Sequence, residues 1–151
     1  TLNITPLVRR FTVPPLTQRL DVTLGERVTL VGYVLQMNGY HAGDALDFTL
    51  VWQSEIETHV SYHVFVHLLD ENGALIAQSD GEPNHWTRPT TGWLPSEVVV
   101  DPHTLQLGAD IPAGLYHLWV GLYDPDTGER LVTQTYPDGS VPLGIVEVSV
   151  D

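Results

Sequence analysis

Three histidines recur at four-residue intervals in this 151-residue chain, in the run His59-Val-Ser-Tyr-His63-Val-Phe-Val-His67. That spacing puts the imidazoles on one face of either a strand or a helix. Three imidazoles could hold zinc, with water in the fourth position. The alternation of Tyr62, Val64, Val66 and Leu68 is that of a strand, however. On a strand, neighbouring histidines stand roughly 13 Å apart, at a rise of ~3.3 Å per residue. Metal ligands must converge at about 2 Å, so neither a metal site nor a cofactor is expected.

The carboxylates offer other chemistry. Asp70, Asp80 and Asp101 fall at the ends of predicted strands, and with His67 and His103 they could bind a cation or do acid–base work. A metal-dependent enzyme using His67, Asp80, Asp101 and His103 is therefore one alternative. The simpler account is that these aspartates cap turn backbone. Asp124-Pro-Asp-Thr-Gly-Glu129 superficially resembles a calcium loop. An EF-hand needs Gly at its sixth position and Glu at its twelfth; here Gly128 is fifth and Thr135 twelfth. The segment reads as a turn, with glycine supplying positive φ. No Gly-x-Ser-x-Gly elbow or His-Glu-x-x-His motif occurs, and no catalytic residue is assigned. Nothing in the motifs demands an enzyme.

Composition narrows the partners. All six basic residues are Arg, cysteine is absent, and nineteen acids give a net charge of -13. Without Lys there is no Walker-type phosphate loop and no Schiff base; without Cys there is no thiol chemistry. Nucleic acid is excluded as a partner because its phosphates need cationic side chains, and an anionic membrane surface is disfavoured for the same reason. No apolar run approaches the ~20 residues that span a bilayer, so no direct membrane insertion by this segment is expected. The chain opens at Thr1 without an initiator Met, which fits an excised domain or a processed product.

The elements that must position these residues are strands. Residues 1–16 form an irregular lead-in, broken by Pro6 and Pro14-Pro15, and 17–151 form one domain. Period-two alternation predicts strands at 17–24, 27–37, 45–53, 60–69, 74–80, 97–107, 115–123, 129–135 and 143–150. Nine short strands, frequent turns and no helix imply an all-β protein, an immunoglobulin-like antiparallel β-sandwich. The entry Gly114-Leu-Tyr116 resembles a tyrosine corner, in which a Tyr near the start of a late strand bonds back to upstream backbone. Trp52, on one face of its strand with Phe48 and Leu50, is read as core.

That architecture predicts pairing of 60–69 with 115–123. His63, Phe65 and His67 then share an outward face with His117, Trp119 and Tyr123. Aromatic rings among polar groups suit sugar recognition, because rings pack on pyranose faces while side chains bond hydroxyls. Loop 81–96 brings Trp86 and Trp93, and Asp80 and Asp101 stand near it. The candidate ligand-binding set is His63, Phe65, His67, His117, Trp119, Tyr123, Trp86, Trp93, Asp80 and Asp101. In this reading Trp119, Trp93 and Trp86 stack on sugar rings, while His67, His117, Asp80 and Asp101 exchange hydrogen bonds. The other reading has the tryptophan loop covering the face as a second small core, since apolar patches of this size are unusual on monomers.

The order of short motifs adds a resemblance. The chain carries Leu30-Val-Gly-Tyr33, Gly43-Asp-Ala-Leu46, Leu50-Val-Trp-Gln53 and Tyr62-His-Val-Phe-Val-His-Leu-Leu-Asp70. It continues with Ala77-Gln-Ser-Asp-Gly-Glu-Pro83, Pro89-Thr-Thr-Gly-Trp93, Val99-Val-Asp101, Gly114-Leu-Tyr116, Val120-Gly-Leu-Tyr-Asp124 and Thr127-Gly-Glu-Arg-Leu131. This series resembles a C-terminal accessory β-sandwich domain, of unknown function, in bacterial multi-spanning, glycosyltransferase-like membrane proteins. The resemblance implies a non-enzymatic, extracytoplasmic accessory module on a membrane-anchored parent chain, binding glycan or another cell-envelope partner. A purely structural spacer is the second possibility. His63 departs from the small residue usual in the pattern, and His85-Trp86 enriches the long loop.

Overall fold

A computed structural model of the chain describes residues 7–150. Residues 1–6 of the expected lead-in, and Asp151, lie outside them. The described residues form two four-stranded antiparallel sheets packed face to face. The strands are β1 (Gln18–Leu24), β2 (Val28–Leu35), β3 (Ala45–Gln53), β4 (His63–Leu69), β5 (Leu75–Gly81), β6 (Val98–Gln106), β7 (Gly114–Tyr123) and β8 (Val141–Val148). Sheet 1 has the order β1-β2-β3-β6 and sheet 2 the order β5-β4-β7-β8. This is the immunoglobulin-like antiparallel sandwich expected from the sequence, built of eight strands.

The core lies between the sheets, where the alternating sets meet. Leu30, Leu50 and Trp52 of sheet 1 are fully buried, as are Val64, Val66, Leu118, Val120 and Leu122 of sheet 2. Each such side chain is worth about 1.5–3 kcal/mol relative to exposure. The tyrosine corner is formed: Tyr116 Oη donates to the Pro112 carbonyl at 2.6 Å. Burial pushes the Tyr116 phenol above its usual range, helped by Asp70 and Glu71.

One expected strand is absent. Residues 129–135 make only an isolated bridge, Tyr123 to Arg130. The turn before them is as read: Gly128 at φ 76° donates its amide to Asp124 O at 2.7 Å. After it the chain leaves the sheet. Leu131 N still donates to Leu122 O, but the Val132 carbonyl accepts from Gly25 at the β1–β2 turn, and Leu131 packs on the core. The alternation of 129–135 was real, but Leu131 uses it to close the end of the sandwich rather than to extend a sheet.

The lead-in is irregular over 7–16 yet anchored. Val13 and Leu16 pack on Val31, Val51 and Val98, on the outer face of sheet 1, and Val98 N donates to Arg10 O at 2.8 Å. Arg9 reaches Glu97 at 2.6 Å, and Arg88 of loop 81–96 reaches the same carboxylate at 2.8 Å. Glu97 is fully buried. Burial alone would raise its pKa, but the Leu94 amide, Arg88 and Arg9 outweigh that and hold it below the usual carboxylate range.

Candidate functional site: an aromatic strip on sheet 2

Strand register fixes the outer face of sheet 2. Residue pairs run His63 to Tyr123, Phe65 to Gly121, His67 to Trp119 and Leu69 to His117 across β4 and β7. Across β4 and β5 they run Phe65 to Asp80 and His67 to Gln78. The pairing expected between 60–69 and 115–123 therefore exists, and it aligns His63, His67, His117, Trp119, Tyr123 and Asp80 on one surface.

Polar contacts knit the middle of that surface. Tyr123 Oη donates to Asp80 Oδ2 at 2.8 Å, bridging from β7 to β5 over β4. Burial, and then the Asp80 carboxylate, push the Tyr123 phenol up to about 12, so it stays a donor across the physiological range. The His63 and Tyr123 rings meet edge-on at 5.5 Å. His67 is half-buried; desolvation first, then Arg130, lower its pKa, against an opposing pull from Asp80. It is therefore a neutral imidazole at pH 7, able to donate and to accept.

Loop 81–96 does not lie over this surface as a lid. Its two tryptophans diverge. Trp93 turns into the core, 3% exposed, and its indole N–H donates to Arg88 O at 2.9 Å; a role in stacking on ligand is corrected by that burial. Trp86 is 57% exposed and sits edge-on to His63 with ring centroids 4.8 Å apart. Gly81 makes room for it: a Cβ there would lie 2.6 Å from the indole nitrogen. Asn84, His85 and Trp86 all occupy the left-handed region, at φ 53°, 53° and 69°, which costs about 1–2 kcal/mol per residue.

Asp101 holds that strained turn. It is fully buried and accepts from the Asn84 amide at 2.7 Å, Trp52 Nε1 at 3.0 Å and His103 Nε2 at 2.6 Å. Three donors and full burial keep Asp101 from meeting a ligand, and the capping account holds for it. Asp70 likewise accepts from the Asn72 and Ala74 amides. Phe65 is the third correction. It is 2% exposed because Arg130 lies 4.2 Å above its ring and Gly139 closes in beside Gly121. The cover over this face is thus partial, and it comes from the 129–139 segment rather than from the tryptophan loop.

What remains accessible is a strip along β4. Exposed Trp86 stands at one end and half-buried Trp119 and His117 at the other, with His63, Tyr123, Asp80, Arg130 and His67 between them. From His63 to His67 alone the strip covers roughly 13 Å at ~3.3 Å per residue. Arg130 escaped the sequence reading because its segment was assigned to a strand; the only signal for it was the scarcity of cations. Among the described residues no three His, Asp or Glu side chains converge on a point where a metal ion could sit. His67 and His103 lie on different sheets. No helix among the described residues is long and apolar enough to cross a membrane.

No protein-family model and no curated relative matches the chain. Solved structures do resemble it. The C-terminal domain of Wzt superposes with a TM-score of 0.55 at 14% identity, covering 82% of this chain and 74% of that one. The CARDB domain of a Pyrococcus furiosus protein, solved in complex with di-metal ions, gives a TM-score of 0.46 at 13% identity, with 78% and 84% covered. A family 123 glycoside hydrolase from Clostridium perfringens gives 0.47 at 10% identity, matching 74% of this chain but only 22% of the hydrolase. At such identities the likeness to the Wzt domain shows a common β-sandwich fold and nothing of what either chain binds; the other two overlaps carry no argument.

Proposed function

We propose that this chain is a non-enzymatic, extracytoplasmic accessory module that binds glycan of the cell envelope along the sheet 2 strip, as one domain (17–151) of a membrane-anchored parent. The observation that carries the reading is the display of Trp86 and Trp119 at the two ends of a surface whose middle is polar. Aromatic faces supply apolar contact to sugar rings at little entropic cost. Tyr123, Asp80, His63 and His67 supply donors and acceptors, already oriented by one another, which lowers the cost of ordering them on binding. His117 extends the strip beside Trp119.

The extracytoplasmic placement and the membrane-anchored parent rest on the resemblance in motif order. The purely structural spacer finds less support, because a spacer has no use for an indole that is 57% exposed on a turn held in left-handed backbone.

The test is calorimetric titration of the folded domain with a panel of bacterial envelope polysaccharides. At least one is expected to bind, with affinity falling about tenfold or more in Trp119→Ala, since stacking contacts of this type are worth about 1 kcal/mol beyond area burial. Absence of binding across the panel, or binding indifferent to Trp119→Ala, would overturn the proposal.

A further inference from the structure

A second concavity adjoins the strip beyond Trp86. β5 and β6 are the edges of their sheets on the same side of the sandwich, and a cleft of about 270 Å³ opens between them. Trp86, His85, Asp80, Glu82, His103 and Thr104 line it. His103 is fixed: it bonds Asp101 and stacks on Phe48 at 5.3 Å. The cleft wall therefore presents an exposed indole, a hydroxyl from Thr104 and two carboxylates.

Those carboxylates, Asp80 exposed and Glu82 half-buried, differ from the two fully buried acids, Glu97 and Asp101. Glu97 is neutralised by two arginines and Asp101 by three donors. Asp80 and Glu82 have only hydroxyl partners: Tyr123 Oη at 2.8 Å and Ser61 Oγ at 2.9 Å. A hydroxyl satisfies one lone pair and leaves the charge in place. Neither acid is in an ion pair among the described residues. Carboxylates without an ion-pair partner beside an exposed indole are what a cation requires, because the ring quadrupole and the carboxylates attract it together. The chain's net charge of -13, with no lysine, adds a field of the same sign.

We infer that this cleft is a subsite for a sugar residue bearing a free amino group, with the ammonium held by Glu82 and Asp80 and the ring against Trp86. The inference rests on the glycan-binding reading of the adjoining strip and names its substrate class. An N-acetylated sugar would present a neutral amide instead, giving the two carboxylates no counter-charge.

The test compares short β-1,4-linked glucosamine oligomers with their fully N-acetylated counterparts at near-neutral pH, by calorimetric titration of the folded domain. The amine oligomers are expected to bind about tenfold or more tightly than the acetylated ones, and more weakly at high salt. Glu82→Gln should lower the amine affinity about fivefold and leave any binding of the acetylated oligomer unchanged. That variant keeps an acceptor for Ser61, and its thermal unfolding should match the wild type. Equal affinity for both oligomers, or amine binding indifferent to Glu82→Gln, overturns the subsite and leaves the strip reading standing. Failure of both oligomers, together with every envelope polysaccharide, overturns both.

Discussion

Trp86 and Trp93 lie seven residues apart in one loop, yet one is on display and the other is core. Trp93 has its N–H satisfied by Arg88 O and its ring among the buried side chains. Trp86 rests on Gly81 and His63 with more than half its surface in water. Three successive left-handed residues, clamped by Asp101, put it there. Burying an indole is the default, since it removes a large apolar area from water. Holding one outside at the expense of backbone strain is the arrangement expected of a surface that meets something. The same loop is thus anchor at its C-terminal half and presentation at its N-terminal half.

Substitution should separate the two roles. Trp93→Ala should destabilise the fold by about 3–5 kcal/mol, the range for truncating a buried aromatic, read as a fall in the denaturant midpoint. Glu97→Gln comes next, at about 3 kcal/mol, because it leaves Arg88 and Arg9 beside a neutral group in a buried network. It should also change the acid limb. Glu97 has a folded pKa below the ordinary 4.5, so its contribution is complete at neutral pH. That contribution declines as pH falls through about 4.5 and is lost below the depressed folded value; in Glu97→Gln this step of acid unfolding should vanish. Asp101→Ala should cost about 2 kcal/mol by orphaning the buried Trp52 N–H and releasing the Asn84 turn, and it should weaken ligand binding as Trp86 loses its fixed position. Trp86→Ala should cost about 1 kcal/mol or less while abolishing contact at its end of the strip. If Trp86→Ala unfolded the protein as readily as Trp93→Ala, the distinction would collapse.

The sequence carried the frame of this account better than its details. Alternation in Tyr116–Leu122 and Tyr62–Leu68 revealed which residues face the core, and the tyrosine corner revealed which strands must pair; both depend on period-two geometry written locally in the chain. Hence His63, His67, Trp119 and Tyr123 could be placed on one surface. Trp86 and Trp93 could not be told apart, because their fates depend on tertiary packing: against His63 of β4 for one, into the sandwich core for the other. Asp101 looked like a free carboxylate at a strand end until Trp52, Asn84 and His103 were seen to converge on it. The 129–135 segment alternates like a strand, but beyond the Tyr123–Arg130 bridge Leu131 packs on the core and the Val132 carbonyl accepts from Gly25 rather than from a sheet edge.

Tryptophan accessibility, with and without ligand, tests the central claim most directly. In acrylamide quenching of the free domain, with Trp86→Phe and Trp119→Phe to assign the signals, Trp86 and Trp119 should be quenched and Trp52 and Trp93 protected. A bound envelope polysaccharide should then shield the first two and leave the others unchanged. Four equally inaccessible tryptophans in the free protein, or quenching that no polysaccharide alters, would contradict a displayed binding strip.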